Sequence, residues 1–332
     1  MSEVRPENRR VEGLDALRGI AALAVVLYHY TERYAQVNGA SPLGLRLSLG
    51  EYGVDLFFMI SGFVILLTLE RCRSSADFAV SRASRLLPAY WACLVLTLAA
   101  VGLMGTDGLA RWEIRPLDVA WNLTMLQEFA KRPNVDGVYW TLAVELRFYF
   151  WAWLLWITGA LARPLLVVMV WLALAASNAA LPGLLRVNAI LEWFPLFGIG
   201  VVAFSAVQSG EWSWRHILVL LLALAVNAWN RPAIAAAIDA GLALVFIAGC
   251  HARGRVPGLL LQLGAISYPL YLVHQNLGFL VIHALGADAA SFVAALATAL
   301  VLAWGVHRGI EQPAMLAIRG RWRQWRARVA SI

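Results

Sequence analysis

The chain has 332 residues, of which 61% are hydrophobic and only 14% charged. Soluble domains are nearer half apolar and a quarter charged, and apolar runs recur here from end to end, which excludes a soluble globular protein and leaves a polytopic membrane protein. The net charge of +7 calls for no nucleic acid, because cytoplasmic loops of membrane proteins gather arginine. Cys72, Cys93 and Cys250 form neither a disulfide framework nor metal-ligand spacing, so no metal is expected.

Ten spans fit the hydropathy pattern, at about 14–32, 50–69, 87–104, 138–160, 164–180, 188–208, 215–230, 233–250, 264–284 and 289–308. The expected fold is an all-α integral membrane protein, a polytopic bundle of about ten transmembrane helices. No small-residue cleavage site follows the first run, which reads as a retained span rather than a signal peptide. If odd spans leave the cytoplasm and even spans return, the cytoplasmic segments hold 17 of the 27 arginines and lysines and the outer segments eight. Both termini then lie in the cytoplasm. Arg5, Arg9, Arg10, Arg253 and Arg255 count on the inner side, Arg111 and Arg231 on the outer. Residues 1–13 form a cytoplasmic segment, 14–312 the transmembrane domain and 313–332 a basic, aromatic cytoplasmic tail.

The first span carries Arg18 near its start and His29 near its end, with no charge between them. Eleven helical positions turn about 1100°, some 20° past three full turns, so both residues share a face and stand about 16 Å apart along the axis. One is a fixed cation and the other a base poised near neutral pH. An extended phosphopantetheine arm has the same reach, so coenzyme A entering from the cytoplasm would bring its thioester near His29. Arg82 and Arg85, three apart before the third span, share a face if helical and add two phosphate-binding forks; an ordinary positive flank is the competing reading.

The one long outer connection, about 105–137, is either a substrate lid or an aromatic-anchored spacer. Its Asn122-Leu123-Thr124 matches a glycosylation acceptor. Asp55, Glu145 and His274 are ionisable groups inside spans and, with His29, fall at similar depth. A carboxylate beside His29 would fix its tautomer and support general-base work on a hydroxyl. Each of these groups could instead be an interhelical bond, and Gln275 and Asn276 mark a polar seam around His274. Arg147 either neutralises Glu145 or points elsewhere. His216, His251 and His307 lie near span ends and read as interfacial. In the tail, arginines alternating with Trp322 and Trp325 suit an anionic lipid surface.

Four stretches give these residues a family resemblance: Leu14-Asp15-Ala16-Leu17-Arg18-Gly19 with His29 beyond; Gly53-Val54-Asp55-Leu56-Phe57-Phe58-Met59-Ile60-Ser61-Gly62-Phe63; Arg82-Ala83-Ser84-Arg85; and Trp140-Thr141-Leu142-Ala143-Val144-Glu145 leading to Phe148-Tyr149. Ser267-Tyr268-Pro269-Leu270-Tyr271-Leu272-Val273-His274 and Glu311 with Pro313 add weaker support. In order and together, they resemble the acyltransferase-3 family of bacterial integral-membrane O-acyltransferases, which includes O-antigen and other polysaccharide acetylases. The resemblance implies an acyl-coenzyme A donor, most simply acetyl-coenzyme A, on the cytoplasmic side, with His29 catalytic and Arg18, Arg82 and Arg85 binding the donor.

Asp55 or Glu145 would then orient His29, and Trp140, Tyr149, Tyr271 and His274 are candidates for contacting substrate. The acceptor would be a carbohydrate or lipid-linked glycan, or a small molecule such as a macrolide, and the location the bacterial inner membrane. Many relatives follow the glutamate equivalent to Glu145 with a second acid, whereas Leu146 and Arg147 follow here. Many also append an extracytoplasmic esterase-like domain, for which the chain is too short after Glu311, so it would deliver the acyl group alone or to a separate periplasmic partner. The rival class is a polytopic carrier or flippase, although Pro195 and Pro269, each expected to break one span, do not form a matched pair.

Overall fold

Acidic Glu12 and Asp15 occupy the first turn of α1 (Glu12–Tyr28), where they favour the positive end of the helix dipole. The helix passes directly into a π turn, His29–Arg33, and then α2 (Tyr34–Asn38), which Gly39 ends at φ 86°. A 3-10 turn at Ser48–Tyr52 leads into α3 (Gly53–Glu70). Ser74 caps α4 (Ser75–Met104) by accepting the Asp77 amide at 3.2 Å. After these come α5 (Pro116–Leu123), α6 (Trp140–Ile157), α7 (Pro164–Ala176), α8 (Gly183–Asn188), α9 (Phe194–Ser209) and α10 (Trp214–Asn230). The chain continues through α11 (Ala233–His251), α12 (Gly258–Leu285), α13 (Ala289–Val306), a second π turn (His307–Glu311) and α14 (Gln312–Ala330). The computed structural model describes residues 12–109, 112–252 and 256–330, so Arg5, Arg9, Arg10, Arg111, Arg253 and Arg255 lie outside the described residues.

Among the described residues the protein is helical, with no strand. Each predicted span has a helix at its place. By length and composition, five helical stretches are fit to cross a membrane: Ser48–Glu70, Ser75–Met104, Ala233–His251, Gly258–Leu285 and Ala289–Val329. The shorter α7, α9 and α10 are also apolar. Two expectations about proline change. Pro195 opens α9 rather than breaking it, at a position where its missing N–H has no helical partner to lose. Pro269 lies inside α12, which continues past it to Leu285.

Helix α12 is the central post, packed against α1, α4 and α13, while α3 packs on α9, α1 and α6. Hydrocarbon offers no hydrophobic drive between helices, so close backbone packing carries more of the association. At the α3–α9 crossing, a Cβ on Gly62 would stand 2.2 Å from the Phe197 carbonyl oxygen, and one on Gly200 would stand 2.0 Å from that of Met59. The α1–α12 crossing is similar, with a Gly264 Cβ 2.0 Å from the Asp15 carbonyl oxygen. The second crossing holds the Arg18 helix against the His274 helix.

Gly137, at the end of the outer connection, lines the first of the two cavities described below. Asn122 is fully buried and braces the segment: its Nδ2 donates to the Asp118 and Pro133 carbonyls, and its Oδ1 accepts the Val135 amide. Those bonds leave it no free amide for glycosylation. Leu117, Trp121, Leu123, Leu126 and Phe129 are exposed along the segment.

Substitution of Gly200 by Leu should force α3 and α9 apart and cost about 1–3 kcal/mol. It should appear as a lower melting temperature in detergent by size-exclusion analysis of heated samples. The same change at Gly241, which has open space around it, should be near neutral. Equal melting of the two variants would refute the close-packed crossing.

Candidate active site

His29 is the first residue of the π turn that follows α1. Its Nδ1 lies 2.9 Å from the Val25 carbonyl oxygen and 3.2 Å from Nε2 of His274. On α12, Nδ1 of His274 lies 2.9 Å from the Tyr271 carbonyl oxygen and 3.2 Å from that of Leu270. A carbonyl oxygen only accepts, so the His274 proton sits on Nδ1 and its Nε2 becomes an acceptor. The His29 proton then sits on Nδ1, shared between Val25 and His274, and the lone pair of His29 is left on Nε2. The pair is set in its tautomers by backbone geometry, with no carboxylate. Tyr30 braces the same helix by donating to the His274 carbonyl at 2.9 Å.

His29 lines a cavity of about 350 Å³ with Tyr28, Arg33, Glu51, Asp55, Trp140, Trp193, Arg231 and Gln275. Asp55 faces this cavity but does not touch His29. It accepts from Arg231 Nη1 at 2.8 Å, and the same nitrogen donates to Asp239 at 2.7 Å. Asn227 donates to Asp239 as well. The Arg231 guanidinium also lies over the Trp193 ring, 5.4 Å from its centroid, and Trp193 is 5.4 Å from Trp140. Arg231, counted in the sequence as a loop charge, is thus the counter-ion of two buried carboxylates.

A second cavity, of about 690 Å³, is lined by Arg18, Arg82, Arg85, Arg308 and Arg319, with Asp15, Glu145, Tyr149, Tyr268 and His307 among its other walls. The continuous α4 helix puts Arg82 and Arg85 on one face, as their spacing predicts. Arg82 donates to Thr68 at 3.2 Å and lies over the Tyr149 ring. Arg85 pairs with the fully buried Glu311, which also accepts from His307 at 2.8 Å. Glu145 accepts from Ser61 at 2.8 Å and faces this basic cavity. It therefore does not join His29, which the sequence offered it or Asp55 to orient. Arg147 turns away, over the Phe129 ring at 4.3 Å.

Val54 and Tyr271 line both cavities and form their common wall. The Tyr271 hydroxyl is held by Thr141 at 2.8 Å. Of the four proposed substrate contacts, Trp140 and Tyr271 line the histidine cavity and Tyr149 the basic one. His274 lines neither; it is fully buried behind His29. Asn276 does form the expected polar seam, donating from its amide to Asp136 and from Nδ2 to Val135. Burial in this loop pushes the Asp136 carboxyl up to about 7. His216 and His251 remain away from both cavities, with Ser205, Ser213 and Trp212 as partners, whereas His307 belongs to the basic one.

The bundle thus sets an arginine-lined cavity back to back with a cavity that holds the His29 imidazole. The acyltransferase-domain model of the acyltransferase-3 family matches residues 11–308, and the chain belongs to that family. It is 25% identical to Acyltransferase MdmB of Streptomyces mycarofaciens across 93% of each chain. It is 28% identical to Nodulation protein 10 of Rhizobium leguminosarum bv. viciae, over 84% of this chain and 86% of that protein. A putative O-acetyltransferase of Staphylococcus aureus (strain COL) is 29% identical over 42% of this chain, which spans only 24% of that longer protein. No solved structure matches. The protein is thus an acyl-transferring enzyme with membrane character, and the carrier reading falls away. Among the described residues no cluster suited to a metal ion is present.

Replacing His274 by Phe removes the acceptor that orients His29. It should lower kcat for acyl transfer about tenfold to a hundredfold with little change in donor KM, and His274→Gln should recover part of the loss. A kcat unaltered in both variants, or a loss confined to KM, would separate His274 from the chemistry.

Proposed function

We propose that the protein is a bacterial inner-membrane O-acyltransferase that moves an acyl group, most simply acetyl, from cytoplasmic acyl-coenzyme A to a hydroxyl of a carbohydrate or lipid-linked glycan. The single observation that carries this reading is the shared wall: a five-arginine cavity and a histidine cavity meet at Val54 and Tyr271. In this reading the bundle crosses the membrane ten times with both termini in the cytoplasm. Residues 14–312 form the catalytic domain, and the exposed Arg321, Arg323 and Trp325 of the tail face anionic lipid.

Arg18, Arg82 and Arg85 hold donor phosphate, the diphosphate before all, which suits guanidinium forks. The pantetheine arm passes Val54 and Tyr271 and brings the thioester to the histidine cavity. There His29 Nε2 takes the acceptor's hydroxyl proton as the oxygen attacks the carbonyl carbon. The C–O bond forms, the C–S bond breaks, and the proton passes from His29 to the departing thiolate. Positive charge on the imidazole is spread to the His274 side through Nδ1. Trp140 and Trp193 offer aromatic faces for a sugar ring, and Glu51, Asp55 and Arg33 offer hydroxyl partners. Asp55 acts here on the acceptor and through Arg231, and Glu145 acts on the donor side.

His29→Ala should abolish acyl transfer while leaving expression and donor binding intact, measured with purified protein and radiolabelled acetyl-coenzyme A. Retained transfer would overturn the proposal. Joint replacement of Arg82 and Arg85 by Gln should weaken donor binding by about a hundredfold. An unchanged donor affinity would remove them from the phosphate site.

A further inference from the structure

The family match ends at residue 308, yet helix α14 beyond it supplies part of the basic cavity. Gln312, Met315 and Arg319 line that cavity, and Trp322 and Arg326 continue the same helical stripe at spacings of three and four. The stripe is bolted to the start of α4. Arg319 donates from Nε to Ser84 at 3.0 Å and from Nη2 to the Ser81 carbonyl at 3.2 Å, so it lies beside Arg82 and Arg85. Further along, Trp322 donates to Asp77 at 2.8 Å and Arg326 to the same carboxylate at 2.6 Å. Asp77 anchors the tail, and the anchored tail carries Arg319 into the cavity.

Five guanidiniums around one cavity repel each other, and the acids at hand do not balance them. Arg85 has Glu311, while Asp15 and Glu145 are the acids on the cavity wall. Such a gathering is favourable when a polyanion occupies the space. A phosphopantetheine thioester carries one phosphate, a monoester when free and a diester when attached to a carrier protein. A coenzyme A thioester carries a diphosphate and a further phosphate on its ribose.

Resting on the donor reading above, we propose that α14 is the nucleotide wall of the donor site. Arg308 and Arg319 take the ribose phosphate, so the enzyme selects free coenzyme A thioesters over thioesters borne on phosphopantetheine alone, the form presented by carrier proteins.

The test uses the full chain in detergent with three probes: acetyl-coenzyme A, its 3′-dephospho form and S-acetyl-phosphopantetheine. The wild-type protein should bind the first about tenfold or more tighter than the second, and bind the third more weakly still, by calorimetry and by KM. Arg319→Gln and Arg308→Gln should each erase most of the advantage of acetyl-coenzyme A over its dephospho form while leaving S-acetyl-phosphopantetheine binding unchanged. Arg308 is exposed, so its variant tests the proposal even if Arg319→Gln loses the tail contact. Equal wild-type affinity for the three probes, or an equal loss for all three in both variants, would overturn the inference while leaving the donor reading in place. Wild-type protein that binds none of them would overturn both.

Discussion

The contact between His29 and His274 is the constraint on which the rest depends. A lone imidazole in a membrane protein can place its proton on either nitrogen, and the choice decides which nitrogen keeps its lone pair. Here two backbone carbonyls of α12 settle the His274 ring, and that ring together with Val25 settles His29. Carbonyls inside a helix cannot rotate away, so the orientation is held by the fold itself. The π turn at His29–Arg33 matters for the same reason: it opens the helix where the ring must be presented. The glycine crossing of α1 on α12 keeps the two helices close enough for the rings to meet.

Around that pair the charges are sorted by cavity. On one side of Val54 and Tyr271, arginines from α1, α4, the second π turn and α14 converge; on the other, Asp55 and Asp239 share one guanidinium, that of Arg231, beside two tryptophans. Buried ions are costly unless paired or reserved for a ligand. Asp55 and Asp239 are of the paired kind, held by Arg231 rather than by His29.

The helix period made Arg18, His29, Arg82 and Arg85 legible in the sequence, because their relation lies within one helix and needs no partner. The positions of the helices were legible from hydropathy for the same reason. Contacts across helices were not. Arg231 stands 176 positions from Asp55, at a span end where an arginine reads as a topology marker. Asp239 did leave a signal, as an acid inside the 233–250 span that meets the same rule as Asp55. Glu145 lies at a predicted depth close to His29, but depth says nothing about which way a side chain points around its helix. His274 shows the reverse: the polar seam expected there is present, and it is built around the candidate base.

The most direct measurement is a density map of the protein with a non-hydrolysable acetyl-coenzyme A analogue. The account places the donor diphosphate among Arg18, Arg82 and Arg85, the arm between Val54 and Tyr271, and the acyl carbon one hydroxyl's width from His29 Nε2. An acyl carbon left in the arginine cavity, or a nucleotide seated beside Trp140 and Trp193, would contradict it.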